Sequence, residues 1–189
     1  MERSTLILFG SPRRDGDTAV LTAALRRRLQ GPVRELDVFR ARFVPCTDCR
    51  SCRTTGKCAL CDDLELLYAD DFDNVVLAAP VWFGTFPGPV LSLMSRLQPW
   101  HAAMYFLKRP QLLRPKRAAL VLTAGGKGNE EGAKRHAIAL FKMLNAAGWE
   151  DHTVLSGRTD TIPAAGDPAA LAAAGALADW LNGREGDKP

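Results

Sequence analysis

The chain has 189 residues, is 47% hydrophobic and 24% charged, and carries a formal net charge of +4. That is the make-up of a globular protein long enough for one domain with a substantial core, and it excludes disordered and fibrous classes. The positive charge is mild and scattered, with Arg26, Arg27 and Arg28 on a helix face and no basic block interleaved with aromatics, so no nucleic-acid partner is expected.

In chain order, Ser4–Phe9 reads as a buried strand that ends abruptly at Gly10-Ser11-Pro12-Arg13 and crosses Gly16-Asp17-Thr18 into a helix. Val20, Leu21, Ala24, Leu25 and Leu29 form the apolar stripe of that helix. Strand-like runs follow at Val33–Phe39, Asn74–Ala79, Ala118–Thr123 and His152–Leu155. The third and fourth runs are continuously apolar, as expected of parallel strands covered on both faces. Between them, Val90, Leu93, Met94 and Leu97 make a second helical stripe, and Ala133–Ala147 a third that closes at Gly148. Asp167-Pro168 opens the last helix, with Leu171, Ala174, Leu177 and Leu181 facing inward. Five strands alternating with helices predict a doubly wound α/β sandwich. Residues 1–183 are read as one domain with a cysteine-rich insertion at 45–63, and 184–189 as a polar tail. No secretory signal precedes the first strand, and the apolar run Val75–Phe83 is too short to cross a bilayer, so a cytoplasmic protein without a membrane partner is expected.

Ligands of such sheets sit beyond the carboxyl ends of the strands, in the loops that begin at Gly10, Pro80 and Ala124. The first loop feeds a helix N-terminus, where unpaired N–H groups and the helix dipole favour an anion. Ser11 and Thr18 add hydroxyls and Arg13 a fork of donors, a set suited to one terminal phosphate; an ordinary strand-to-helix turn is the alternative. Neither the dinucleotide glycine pattern nor a Gly-Lys-Ser/Thr loop is present.

These loops carry a family resemblance. GSPRRDGDT with its helix resembles the first phosphate loop of the flavodoxin-like NAD(P)H-dependent FMN reductases, and APVWFGTFPGP is similar to that family's flavin loop. PCTDCRSCRTTGKC resembles the cysteine-rich segment of the subset that includes the iron–sulfur flavoproteins. The resemblance implies a five-stranded parallel sheet of order 2-1-3-4-5. It implies that Ser11, Arg13, Asp17, Thr18 and Ala19 surround the FMN phosphate, that Pro80, Val81, Trp82, Phe83 and Gly84 line the isoalloxazine ring, and that Thr123, Ala124, Gly125 and Gly126 form its other edge. The residues agree with that chemistry, since a flat, partly polar ring needs planar side chains to stack on and close backbone approach. Trp82 and Phe83 as plain core aromatics is the competing reading. The chain departs from the family at Asp17, where Asn is usual, at Trp82-Phe83 in place of Tyr-Trp, and at Ser95-Arg96 in place of Asp-Arg. A carboxylate at Asp17 suits a phosphate site only if it caps the helix and points away.

All five cysteines fall within Cys46-x2-Cys49-x2-Cys52-x5-Cys58-x2-Cys61. Two-residue gaps let thiolates converge on one cluster, and the resemblance implies a [4Fe–4S] cluster on Cys46, Cys49, Cys52 and Cys58, with Cys61 spare or an alternative ligand. Zinc on Cys46, Cys49, Cys58 and Cys61, or reduced thiols without metal, remain open. Disulfides are not expected in a cytoplasmic chain, and the odd count leaves one thiol over.

His101, His136 and His152 are scattered and read as surface or packing residues, and Asp62-Asp63 as the cap of the helix that follows. Pro99–Pro115 carries Trp100, Met104, Tyr105, Phe106 and Leu107, and reads as a cover for the flavin, a contact with a second subunit, or a helix buried on its own domain. Lys127 could meet a nucleotide phosphate or stand in solvent. The expectation is an FMN-dependent oxidoreductase that uses NAD(P)H and passes electrons to a quinone, free flavin or other small acceptor, as a homodimer or tetramer. An iron–sulfur flavoprotein trading electrons with a redox protein is the first alternative, and a zinc-stabilised non-redox binding module the second.

Overall fold

In a computed structural model describing residues 2–109, 113–126 and 129–184, alternation along each strand divides the interior into two cores. Strand β1 (Thr5–Phe9) turns Leu6 and Leu8 to one face and Ile7 and Phe9 to the other. Strands β3 (Asn74–Pro80) and β4 (Lys116–Thr123) divide likewise: Val75, Leu77, Leu120 and Leu122 face the first side, and Val76, Ala78 and Val121 the second. Helices α4 (Gly88–Ser95) and α6 (Glu131–Met143) cover the first core with Val90, Leu93, Leu140 and Phe141. Helices α1 (Asp17–Arg26) and α7 (Pro168–Leu181) cover the second with Leu21, Leu25, Leu177 and Leu181.

With β2 at Val33–Asp37, the strands run parallel in the order β2-β1-β3-β4, as the resemblance implies. The fifth position is shared by two pieces. Strand β5 (Ala146–Ala147) pairs with Lys116 and Arg117, and β6 (Thr153–Ser156) pairs with Leu120–Thr123 farther along the same edge of β4. The sheet is therefore six-stranded, with an interrupted outer strand.

The interruption corrects the third helix, expected to run to Ala147. It stops at Met143, Asn145 takes a left-handed φ of 53° and donates through Nδ2 to the Leu113 carbonyl at 2.8 Å, and the chain leaves as strand. Gly148 turns the chain at φ +93°, where an added Cβ would lie 2.7 Å from the Trp180 ring. It ends a strand rather than a helix.

The apolar segment from Pro99 forms helix α5 (Gln98–Tyr105), which buries Pro99 and Ala102 and sets Trp100 edge-on to Tyr68 at 5.5 Å, while Tyr105 and Phe106 stay exposed. Pro110 to Leu112 of that segment, Lys127 and residues 185–189 of the tail lie outside the described residues.

Asp167 caps α7, its carboxylate accepting from the Ala170 N–H at 3.0 Å and from the Ser156 hydroxyl at 2.9 Å. The backbone N–H of Ala170, then Ser156, hold its pKa below the usual carboxylate range. Asp167→Ala is expected to cost about 1 kcal/mol and lower Tm by about 2–4 °C at neutral pH. A carboxyl with a depressed folded pKa stabilises fully above its unfolded value and loses that contribution as pH falls through the folded one. The difference between wild type and variant therefore closes in acid, which melts at neutral and acidic pH would show.

Candidate functional site

Strands β1, β3 and β4 end on the same side, and their loops enclose a cleft of about 610 Å³. Ser11, Arg13, Asp17 and Thr18 line one end, Pro80, Val81, Trp82 and Phe83 a second wall, and Thr123 and Gly125 the floor. Of the other residues proposed from the sequence, Ala19 packs against the second core, Ala124 is buried, and Gly84 and Gly126 do not line the cleft.

At the phosphate-loop end, Gly16 caps α1 without a side-chain acceptor, leaving the first-turn N–H groups for a ligand. Ser11 is buried and its Oγ accepts from the Arg13 N–H at 3.4 Å. The Thr18 hydroxyl is buried beneath the loop, 2.8 Å from that of Thr123, and ties α1 to the end of β4. Asp17 turns its carboxylate to the Ala164 N–H at 2.7 Å, with the Arg13 guanidinium 3.9 Å from its other oxygen. One oxygen of the carboxylate at that position thus does structural work, while the other stays beside Arg13 at the cleft. Arg14 is engaged by Glu35 and Asp37 and stacks 4.7 Å over Phe9, while Arg13 lines the cleft with a largely exposed side chain beside Asp17.

The second wall is a tight turn. Trp82 and Thr85 exchange backbone hydrogen bonds of 2.9 Å in both directions, with Phe83 at φ 50° and Gly84 at φ 76° between them. Two consecutive left-handed residues define the mirror-image hairpin turn, which Gly adopts freely and Phe only under strain. Phe83 projects fully into solvent and Trp82 is half exposed, edge-on to Phe39 at 6.2 Å. Neither is a core aromatic. The N-terminal end of α6 backs the turn: Asn129 Oδ1 would be 2.8 Å from a Cβ at Gly84, and His136 Nδ1 lies 3.0 Å from Thr85 Oγ1. His101 packs on Tyr105 at 4.4 Å and His152 stacks on Trp180 at 3.6 Å.

Besides Pro12 of the first loop, two cleft residues on a loop the sequence reading did not single out are Thr159 and Asp160. Their N–H groups bond the carbonyls of Ala124 and Gly125 at 2.9 and 3.3 Å. A Cβ on Gly125 would stand 2.3 Å from the Asp160 carboxylate, so that glycine admits a side chain of the next loop. No motif marks Asp160, and only the pairing of β4 with β6 carries its loop to the cleft.

A second concavity gathers the cysteines. Cys46, Cys49, Cys52 and Cys58 line one small cavity of about 30 Å³, together with Arg96, Pro99, Ala102 and Phe106. Cys61 is exposed and outside it. Burial first, and the neighbouring thiols after it, push the Cys52 thiol up. Among the described residues, no three Cys, His, Asp or Glu side chains converge as a single metal ion requires. The zinc set would need Cys61, which does not line the cavity shared by the other four. Asp62 accepts from the Leu64 N–H at 3.1 Å in the turn before helix α3 (Glu65–Tyr68), but its main partner is Arg96, whose Nη1 donates to it at 2.6 Å.

Among the described residues, no helix is long and apolar enough to cross a membrane. The chain is 27% identical over 170 residues to an iron–sulfur flavoprotein of Methanocaldococcus jannaschii, covering 85% of this chain and 83% of that one. It is 26% identical over 127 residues to an iron–sulfur flavoprotein of Methanosarcina thermophila, covering 65% of this chain and 63% of that one. The fold superimposes on an NAD(P)H:quinone oxidoreductase of Methanothermobacter marburgensis with a TM-score of 0.67 at 14% identity, over 95% of this chain and 98% of that one. Residues 4–160 match the family model of the NADPH-dependent FMN reductases, and the chain belongs to that family of FMN-dependent oxidoreductases.

Proposed function

We propose that the cleft at the carboxyl ends of β1, β3 and β4 is the FMN site of an NAD(P)H-dependent reductase that passes electrons to a quinone or another small acceptor. The observation that carries this is the joining, in one cleft of ligand size, of an uncapped helix N-terminus with buried hydroxyls at one end and solvent-facing aromatics at the other. The first-turn N–H groups of α1, with Ser11, Thr18 and Arg13, hold the phosphate. Trp82 and Phe83 flank the ring and leave one face open to a nicotinamide or acceptor. Bound FMN would supply the redox chemistry, hydride uptake from a reduced nicotinamide and electron release to the acceptor. The protein's part is to bind and orient, and no side chain of the cleft need move a proton. Exposed Phe83, Tyr105 and Phe106 support assembly with a second copy, which light scattering would test.

Arg13→Ala is expected to weaken FMN binding by about tenfold, a charge-assisted contact discounted for its exposure. Titration of the FMN-free protein with FMN measures it, and an unchanged affinity would remove Arg13 from the phosphate site.

A second reading is favoured by the four cysteines on one cavity. They have the donor chemistry for a [4Fe–4S] cluster on Cys46, Cys49, Cys52 and Cys58, and both curated relatives above are iron–sulfur flavoproteins. The protein would then also exchange electrons with a redox partner. Iron and sulfide assayed after anaerobic purification test this: several irons per chain support the cluster, and none in a cysteine-reduced, FMN-loaded sample leaves a simple reductase.

A further inference from the structure

The cysteine segment has little structure of its own to hold it. Between Val44 and Asp62 its one helix, α2 (Cys52–Thr55), is a single turn resting on α5, with Arg53 4.5 Å over the Phe106 ring. Local contacts hold part of it, the Ser51 carbonyl accepting from the Thr54 and Thr55 hydroxyls and Asp48 facing Arg50 and Arg53, and the rest of the order that brings four thiols to one cavity is supplied from outside the segment.

It comes from the end of α4. Arg96 is 1% exposed, an unusual place for a guanidinium, and spends four of its five N–H donors on the two ends of the segment. Nη1 donates to the Val44 carbonyl at 2.8 Å and to Asp62 Oδ2 at 2.6 Å, and Nη2 to the Leu60 carbonyl at 3.4 Å and to Asp62 Oδ1 at 3.3 Å. One side chain therefore closes residues 44 to 62 into a loop. Its neighbour Ser95 accepts the Cys46 N–H at 2.9 Å, which fixes the first cysteine to the same helix end. Tyr68 locks Arg96 in turn, donating to its carbonyl at 2.7 Å.

The fifth donor is unused. Arg96 Nε is buried and without a hydrogen-bond partner, although Arg96 lines the cysteine cavity. The charge is already met by Asp62, but a buried N–H without an acceptor carries a desolvation cost that an acceptor in the cavity would relieve.

We propose that Arg96 is the positioning residue of the cysteine site: it builds the thiol cage from both ends and keeps its Nε–H for the sulfur anions of the group bound there. The second half rests on the cysteines being ligands of an iron–sulfur cluster; the first half does not. A thiolate-bound cluster is anionic, and the buried guanidinium supplies the opposite charge beside it. The same contact makes the reduced cluster easier to form, because the added electron is stabilised by the cation.

The test uses FMN-loaded protein freed of metal by chelation and kept reduced. Each cysteine is alkylated with iodoacetamide under timed conditions and quantified by mass spectrometry, with exposed Cys61 as reference in the same chain. Arg96→Lys keeps the charge but cannot span Val44, Leu60 and Asp62. The double variant Arg96→Met/Asp62→Leu removes both charges together, so no buried ion is stranded and the fold survives should the single variant fail. Both are expected to raise the alkylation of Cys46, Cys52 and Cys58 relative to Cys61 by about tenfold, the signature of a segment released from its clasp. Unchanged ratios in FMN-retaining protein would overturn the cage role. Anaerobic reconstitution with ferrous iron and sulfide then reads the second half. The cluster of Arg96→Met, which loses the cation and keeps Asp62, should show a lower midpoint potential than wild type, with Arg96→Lys between them, a shift that mere loosening of structure would not order by charge. Equal potentials in all three would overturn the charge role. Failure of wild type itself to take up iron would sink the cluster reading, while the alkylation ratios would still decide the clasp.

Discussion

Gly132→Ala is expected to weaken FMN binding by about tenfold or more, equivalent to about 1.4 kcal/mol, without touching the ligand. Gly132 lies in the first turn of α6, and a Cβ there would stand 2.2 Å from the Gly84 carbonyl oxygen. The obstacle is backbone and cannot rotate away. Either α6 moves outward or the turn Trp82–Thr85 is pushed into the cleft, and that turn holds the two aromatics read as flanking the ring. Overpacking of this kind also costs about 1–3 kcal/mol of stability. Gly88→Ala is the control: no atom lies within 4 Å of its added Cβ, so FMN affinity should stay as in wild type. Parallel FMN titrations and melts of both variants check this. Wild-type affinity in Gly132→Ala would show that the Trp82–Thr85 turn does not shape the flavin site.

Asp62→Ala carries the largest expected loss of stability. Alanine leaves the Arg96 guanidinium buried with two carbonyls for company and no counter-charge. Stranding one partner of a buried pair costs about 3–5 kcal/mol. Asp62 keeps some solvent contact, so the lower end applies, about 3 kcal/mol and a Tm about 6–12 °C lower. Arg96→Met/Asp62→Leu should melt within a few degrees of wild type, because the desolvation cost of both ions vanishes with them. A single variant as stable as the double would mean that the pair carries no net coupling, and calorimetry on the three proteins settles it.

Much of the fold was readable from periodicity. The apolar strands β1, β3 and β4 and the stripes of α1, α4 and α7 lie where alternation and helical spacing put them. Ala146–Ala147 was misread for a clear reason: two alanines favour a helix locally, and only pairing with Lys116 and Arg117 makes them strand. The cleft was visible as three loops because each follows an apolar strand. Asp160 was not, since its place depends on a neighbour strand and on the missing side chain of Gly125. The mirror-image turn at Phe83-Gly84 hid behind Phe, a residue no turn rule would place there. Asp62 looked like a helix cap and Ser95-Arg96 like a departure from a family pattern. Together they are the two sides of one clasp, and no local rule links positions 34 residues apart.

The most direct measurement is an anaerobic visible spectrum of the purified protein during stepwise addition of NADPH. The predicted result is a set of flavin bands, present as isolated or restored by added FMN, that bleach with about one NADPH per flavin. A colourless protein that takes up no FMN, or a bound flavin that NADPH leaves oxidised, would contradict the assignment of the cleft.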